Sequence, residues 1–242
     1  MIASLLRRGP ADGEQVDVDG VAVRLRVNPR ARRISLRIDG RTGEAVATAP
    51  NARRLAEAAA FARSKPDWLR SRLARRPAAA PLIPGAEIPY RGERLRLQQT
   101  SSASAARLSE DGAVLIAGGD AEGFARRVET FLKRQARDEL TARTAAHAAA
   151  LGLPSPTLTL RDTRSRWGSC NAARRAVNYS WRLILCPPEV LDYVAAHEVA
   201  HLVEPNHGPG FWALVERLYG DPSAERDWLR RHGAEVHAVG RA

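Results

Sequence analysis

The chain has 242 residues and a formal net charge of +11, a length that suits one large domain or two small ones. Two cysteines exclude a disulfide scaffold, and no apolar run approaches the ~20 residues of a membrane-spanning helix. The apolar part of residues 1–8 is too short for a secretory signal peptide. We therefore expect a protein of a reduced, cytoplasmic compartment with no membrane partner.

The positive charge is concentrated in the N-terminal part of the chain. Residues 1–100 carry a net charge of +10, whereas residues 101–242 carry +1. Its densest part, the basic cluster, comprises Arg30, Arg32, Arg33 and Arg37, with Arg24 and Arg26 upstream. Such a cluster is typical of surfaces that bind nucleic acid, nucleotide phosphates or an acidic protein. A solvated surface explains it more simply, because charge excess alone is weak evidence and aromatic residues that stack on bases are scarce nearby.

The first elements are predicted to be short strands followed by a helix. Apolar and polar residues alternate over 14–50, and the last strand there is predicted over 44–49. Residues 51–76 follow the spacing of one helix. The side chains predicted to face the core on this helix are Leu55, Ala59, Phe61, Trp68 and Leu73.

Two further strands and a long helix follow a proline-rich connector. The strands are predicted over 94–99 and 113–117, and the helix over 121–150. We therefore predict two domains, a β-rich basic N-terminal region with one helix over 1–118 and a C-terminal domain over 119–242. The C-terminal domain contains the residues suited to catalysis.

Within the C-terminal domain, two strands precede a helix. The strands are predicted over 157–161 and 177–185, where apolar residues alternate. Pro187-Pro188 precede the predicted helix, since proline is well placed at a first helical turn. Pro205 is predicted to end the helix at or just before Glu204, because proline disfavours helical backbone in the residue before it. Two more helices are predicted to pack behind this one.

That helix carries the most informative motif of the chain, His197-Glu198-Val199-Ala200-His201, followed by His207. Side chains four residues apart lie on one face of a helix, about 6 Å apart along its axis, so both imidazoles reach one metal ion. Glu198 lies beside the first ligand and reaches a metal-bound water as its base. The turn near Pro205 allows His207 to return as a third ligand.

The remaining histidines fit a ligand role less well. His232 and His237 are rival third ligands, but both lie far along the last helix. His147 has no partner pattern, which favours a surface histidine. Cys170 is close enough in sequence to approach the metal, although a small buried cysteine is the simpler interpretation.

Several motifs over 166–212 together resemble the YgjP-like metallopeptidase family, relatives of the SprT and WLM zincins. These motifs are Arg166-Trp167-Gly168-Ser169-Cys170, Asn178-Tyr179-Ser180-Trp181-Arg182-Leu183, Tyr193-Val194, His197-Glu198-Val199-Ala200-His201-Leu202, Asn206-His207 and Phe211-Trp212. The resemblance implies a zincin catalytic domain with His197, His201 and His207 as zinc ligands and Glu198 as the acid/base. One member type has been described as a UTP pyrophosphatase.

These expectations define an α+β fold, in which a zincin-like domain packs its metal-binding helix on a small antiparallel sheet behind a β-rich N-terminal region. Three neutral imidazoles hold one Zn²⁺ per chain with an open fourth position. Bound water then has a pKa near ~7, and Glu198 passes its proton to the leaving amine. We therefore predict a zinc metallopeptidase.

Further residues are candidates for supporting roles. Contacts to the substrate or transition state are predicted for Arg166, Tyr179 and Arg182, each of which also fits a structural role. Hydrogen bonds that orient the zinc-binding histidines are predicted from Asp192, Glu204 or Asn206.

Two other functions stay open. In the first, the substrate is a nucleotide instead of a polypeptide, and the enzyme is a metal-dependent nucleoside triphosphate pyrophosphatase. Such enzymes usually hold Mg²⁺ with carboxylates, which makes histidine ligands less suitable. In the second, the chain is a nucleic-acid-binding adaptor with a vestigial metal site, which would bind nucleic acid in a salt-dependent way without zinc.

Overall fold

The computed structural model describes most of the chain, namely residues 9–39, 42–74, 80–102, 104–163 and 166–241. Over these residues the fold is α+β, with eleven strands in three small sheets and six α-helices. The chain divides into two compact units, Met1–Arg76 and Pro77–Ala242. Residues 1–8, on which the signal-peptide prediction rests, lie outside the described residues.

The first unit contains a four-stranded mixed sheet in the order β1-β2-β4-β3. Its strands are β1 (Gln15–Val18), β2 (Val21–Val27), β3 (Ser35–Ile38) and β4 (Ala45–Ala49). Strands β2 and β4 are parallel, and the other two pairs are antiparallel. Helices α1 (Leu55–Arg63) and α2 (Pro66–Ala74) pack on this sheet.

The prediction of one helix over 51–76 was wrong in two respects. The chain forms two helices, because Pro66 has no amide hydrogen and disfavours helical backbone at the residue before it. The break rotates the second helix, so that Leu69 is buried whereas Trp68 is 41% exposed. Phe61 is also exposed, at 39%.

The second unit begins with a four-stranded sheet in the order β5-β6-β8-β7, followed by the long helix α3 (Ala121–Ala150). The strands are β5 (Glu87–Tyr90), β6 (Glu93–Thr100), β7 (Arg107–Leu108) and β8 (Val114–Gly118). Helix α3 has the predicted bounds, because Asp120 caps it by accepting a hydrogen bond from the Gly123 amide at 2.8 Å.

Strands β5–β8 share one buried core with the C-terminal helices. Leu97 and Leu115 belong to the same cluster of buried side chains as Leu132 and Leu185. These strands therefore lie in the second compact unit, although the boundary predicted at 118/119 assigns them to the N-terminal region. That boundary, as a division into domains, stays a prediction.

The third sheet and three helices complete the second unit. The strands are β9 (Thr157–Arg161), β10 (Gly168–Asn171) and β11 (Ala176–Ser180), and the helices are α4 (Pro188–Ala200), α5 (Pro209–Leu218) and α6 (Ser223–Ala238). The sheet has the order β10-β11-β9 and is mixed, because β11 pairs with β10 in antiparallel and with β9 in parallel orientation. The prediction of an antiparallel sheet was therefore wrong.

The strand predicted over 177–185 was also too long. Residues 181–185 form a 3₁₀ helix, and all five are buried against α3 and neighbouring elements. Ser180 ends the strand by accepting a hydrogen bond from the Arg182 amide. None of the described helices is both long and apolar enough to cross a membrane.

Candidate metal centre

Helix α4 presents two histidines and a glutamate from its C-terminal turns. It begins at Pro188, and His201 is its C-cap residue. Most of its side chains are buried, which fixes its position between α3, α5 and α6. The rings of His197 and His201, four residues apart, have centroids 5.0 Å apart. The helix therefore holds both imidazoles on one face, as the spacing predicts.

A tight turn brings His207 back to this face. The Glu204 amide donates a hydrogen bond to the Ala200 carbonyl, and the chain passes Pro205 before α5 begins. The Nε2 atom of His207 lies 3.2 Å from Nε2 of His197 and 3.2 Å from Nε2 of His201. The structure thus brings together the three predicted metal ligands.

The donor atoms of this triad fit a tetrahedral metal ion. Two nitrogens that bind one zinc at 2.0–2.1 Å in tetrahedral geometry lie about 3.3 Å apart. The other ring nitrogen of His201 lies 2.9 Å from the Glu204 carbonyl oxygen, which can only accept, so Nδ1 is the donor and Nε2 carries a lone pair. The Nε2 lone pair of His201 therefore points towards the place where the other two Nε2 atoms converge.

Burial favours the neutral form of His197 and His201. Burial, and then the neighbouring His201 and His207, lower the pKa of His197 to about 4. Burial also lowers the pKa of His201. Because only a neutral imidazole offers a lone pair to a metal, the site is ready to bind a cation at neutral pH.

The side chain of Phe211, for which no role was predicted, packs against all three histidines. The ring of Phe211 stacks on His201 at 4.4 Å and lies 4.8 Å from His197 and 4.7 Å from His207. Phe211 is fully buried at the start of α5. Helix α5 therefore supplies an apolar side chain that packs against the three imidazole rings and restrains them.

Tyr193 is a second residue for which no role was predicted. Its hydroxyl oxygen lies 3.4 Å from Nδ1 of His197. A signal was present in the sequence, because Tyr193 precedes His197 by four residues on the same helix and must share its face. A partner for Nδ1 fixes the ring orientation of a metal-binding histidine.

Glu198 lies next to the triad with its carboxyl group mostly buried. The side chain is 6% exposed, and Oε2 has no hydrogen-bond partner among the described residues. Burial raises the pKa of Glu198 to about 7. A carboxyl group with this pKa both accepts and releases a proton near neutral pH, which suits a general acid/base.

Among the described residues, none of the three side chains predicted to contact the substrate forms a hydrogen bond with the triad. Tyr179 is fully buried, and its hydroxyl shares a hydrogen bond of 3.1 Å with Thr144. Arg182 is 1% exposed and bonds the Val239 carbonyl at 2.9 Å and the Asp162 carboxylate. The structure gives both side chains roles in the core. Arg166 is exposed, and in the described part of the chain no hydrogen bond or ion pair joins its side chain to the triad.

The prediction of which residues orient the three histidines by hydrogen bonds was partly wrong. Glu204 bonds His201, but through its main-chain carbonyl. Asp192 instead pairs with His147 at 2.7 Å and with Arg143 at 3.4 Å. His147 is therefore a buried partner of α4 and not a surface histidine. Asn206 is exposed, and its side chain forms no hydrogen bond to the three histidines among the residues that the structure describes.

The rival ligands lie outside the triad. His232 lies 3.8 Å from Glu235, and His237 stacks on Trp167 with ring centroids 4.1 Å apart. Cys170 is half-buried on β10 and is not part of the metal-binding group. Burial, and the nearby Glu198, raise the pKa of its thiol to about 11, so it is protonated at neutral pH.

Neutral imidazoles that converge beside a buried carboxyl group are typical of metal-dependent hydrolases. Residues 32–232 match the family described as YgjP-like, metallopeptidase domain, and the chain belongs to this family. The match confirms the resemblance found in the motifs. The family implies a bound metal ion, and the triad is the group of side chains that fits one.

The chain is also similar to a metallopeptidase of solved structure. The crystal structure of the metallopeptidase zymogen of Pyrococcus abyssi abylysin has 18% sequence identity with this chain and a TM-score of 0.35. The alignment covers 39% of this chain and 92% of that one. No curated protein matches the chain.

Proposed function

We propose that this protein is a zinc-dependent peptidase of zincin-like fold, with His197, His201 and His207 as ligands and Glu198 as acid/base. The observation that carries the proposal is the convergence of three Nε2 atoms, 3.2 Å apart in two pairs, beside a buried carboxyl group. A zinc ion held there supplies Lewis acidity, which lowers the pKa of a water molecule and polarises a carbonyl group.

Glu198 is the group of this chain that moves the proton. With a pKa near 7, its carboxylate takes a proton from the attacking water, and the resulting acid delivers it to the leaving amine. Phe211 holds the imidazoles in place during this exchange.

The sheet beside the site supports a polypeptide substrate. Strand β10 is an edge strand, and its first residue, Gly168, contacts Glu198. An extended peptide bound along an edge strand uses main-chain hydrogen bonds and places its carbonyl groups at regular intervals. This arrangement positions a peptide bond more readily than a nucleotide phosphate. The histidine donors likewise suit zinc better than the Mg²⁺ of most nucleotide hydrolases.

The test compares wild type with Glu198→Gln after loading with zinc. Casein is the peptide substrate and UTP the nucleotide substrate. We expect casein cleavage that Glu198→Gln lowers by several orders of magnitude, on the order of 10³-fold or more, while zinc content and thermal melting stay unchanged. The matched control is Glu216→Gln, which alters an exposed carboxylate on α5.

Three outcomes contradict the proposal. If Glu198→Gln cleaves casein as well as the wild type does, Glu198 is not the acid/base. If only UTP is hydrolysed and that activity needs Glu198, the enzyme is a pyrophosphatase. Equal losses in Glu198→Gln and Glu216→Gln would indicate a general effect of charge.

A further inference from the structure

The first compact unit carries a groove with a volume of about 560 Å³ that the proposed function does not use. Its lining comes from the segment before and within β3 and from the two helices. The lining residues are Arg33, Ile34, Ser35, Leu36, Phe61, Lys65 and Trp68. The groove therefore lies where one edge of the sheet meets the helix layer.

Two aromatic rings in this groove are exposed without an aromatic partner. Among the described residues the exposed large apolar side chains are Phe61, Trp68, Ile83 and Val203, and the two aromatic ones line this groove. No ring contact of Phe61 or Trp68 is present in the described part of the chain. Two neighbouring aromatic rings exposed in one concave surface indicate a site that binds an apolar group.

The groove lies beside an edge strand of the sheet, β3. Strand β3 is the last strand of its sheet and bonds only β4, with Ser35 opposite Thr48 and Ile38 opposite Ala45. On its other side the described residues offer no strand, so alternate N–H and C=O groups of β3 face outward. Such an edge accepts an extended chain as an additional strand.

The charge of the groove is positive and uncompensated. Arg33 and Lys65 are exposed and form no ion pair with a described residue. Some basic residues of this unit have partners, since Arg37 pairs with Asp39 at 3.2 Å and Arg54 with Glu57 at 2.7 Å, whereas Arg53 forms no ion pair with a described residue. No acidic residue is among those that line the groove. A ligand with carboxylates is therefore complementary to it.

We propose that this groove binds an extended, acidic segment of a partner protein, which adds to the sheet beside β3. An apolar side chain of the segment packs between Phe61 and Trp68, and its carboxylates pair with Arg33 and Lys65. Single-stranded nucleic acid also suits aromatic rings beside cations. It leaves the outward N–H and C=O groups of β3 and the apolar Ile34 and Leu36 unused, so the groove favours a peptide.

The test uses the full-length protein and a fluorescein-labelled decapeptide of alternating Asp and Leu, measured by fluorescence anisotropy. We expect saturable binding that weakens at high salt and falls at least about tenfold in Trp68→Ala and in Arg33→Glu. The matched control is Arg53→Glu, because Arg53 is exposed in the same unit, forms no ion pair with a described residue and lies outside the groove. Circular dichroism melting verifies that each variant folds.

A second probe tests the strand pairing. The same decapeptide with N-methyl groups at alternate residues keeps its side chains but loses donors on one edge, and we expect it to bind at least about tenfold more weakly. No saturable binding up to about 1 mM overturns the proposal. So does an equal loss in Arg53→Glu and Arg33→Glu, or tighter binding of oligo(dT) that is lost in Trp68→Ala. The result is independent of the metal site, because the assay involves no hydrolysis.

Discussion

Gly168 and Glu198 approach so closely that a side chain at position 168 would displace the glutamate. A Cβ atom on Gly168 would lie 2.5 Å from Oε1 of Glu198 and 2.6 Å from its Cγ. The start of β10 thus lies directly against the carboxyl group. This contact contributes to the burial that raises the pKa of Glu198 to about 7. The close packing against Glu198 therefore favours glycine at this position of the Arg-Trp-Gly-Ser-Cys motif.

The substitution Gly168→Ala should displace Glu198 and lower turnover. Because a shift of about 1 Å in a catalytic group can cost on the order of 10²-fold, we expect a loss of that size in kcat for casein. Zinc content should not change, since Gly168 does not contact the ligands. The matched control is Gly208→Ala, at which a Cβ meets no atom within 4 Å. Normal turnover in Gly168→Ala would show that the carboxyl group tolerates displacement.

Removal of one ligand should empty the site. We expect about one zinc per chain in the wild type and a loss of most of it in His201→Ala, because two imidazoles hold zinc far more weakly than three. Metal analysis of the dialysed proteins measures this. His232→Ala is the matched control, since His232 lies outside the triad. Full zinc retention in His201→Ala would contradict the assignment of the ligands.

The hydroxyl group of Tyr193 should tune the affinity for zinc. It lies 3.4 Å from Nδ1 of His197, and losses of such partners typically cost 10–100-fold in metal affinity. We expect Tyr193→Phe to bind zinc about tenfold more weakly, as measured by competition with a chelator. Tyr90→Phe, which removes a hydroxyl bonded to Gln135 at 3.3 Å, is the control and should not alter the affinity. An unchanged affinity in Tyr193→Phe would assign the tyrosine to packing alone.

The sequence allowed the triad to be predicted because its geometry is local. His197 and His201 lie on one helix, and the turn that brings back His207 spans only six residues. The bounds of α3 were equally predictable, since Asp120 marks its start and Gly152 follows its end. Each of these features depends on neighbours within a few residues.

Features that depend on distant partners could not be predicted. His147 and Asp192 are 45 positions apart in sequence and meet only because α3 packs on α4. The parallel pairing of β9 with β11 likewise depends on how the chain crosses over. Residues 181–185 were predicted as strand because apolar residues alternate there, but tertiary contacts bury all five, Arg182 included. Burial of this kind is not visible in periodicity.

The stability of the protein should depend on pH through His237. Its ring is buried against Trp167, and neither ring nitrogen has a partner among the described residues. Burial, and then the charges of Arg241 and Arg182, lower its pKa from 6.5 to about 4, although Asp162 opposes them. The folded state keeps His237 neutral where the unfolded state binds a proton. The contribution of His237 to the free energy of unfolding is therefore fully present above pH 6.5, and it is lost as the pH falls towards 4.

We expect this effect to cost on the order of 2–3 kcal/mol of unfolding free energy between pH 6.5 and 4. His237→Phe keeps a flat ring against Trp167 and removes the titration, so its unfolding free energy should fall less over this interval. Urea unfolding of the metal-free proteins at several pH values measures how steeply the unfolding free energy of wild type and of His237→Phe depends on pH. His197 contributes equally to both slopes because it is present in both proteins. His232→Phe, on the same helix, is the control and should keep the wild-type slope. If His237→Phe also keeps that slope, the folded protein admits a proton at His237 at little cost, and acid destabilisation originates elsewhere.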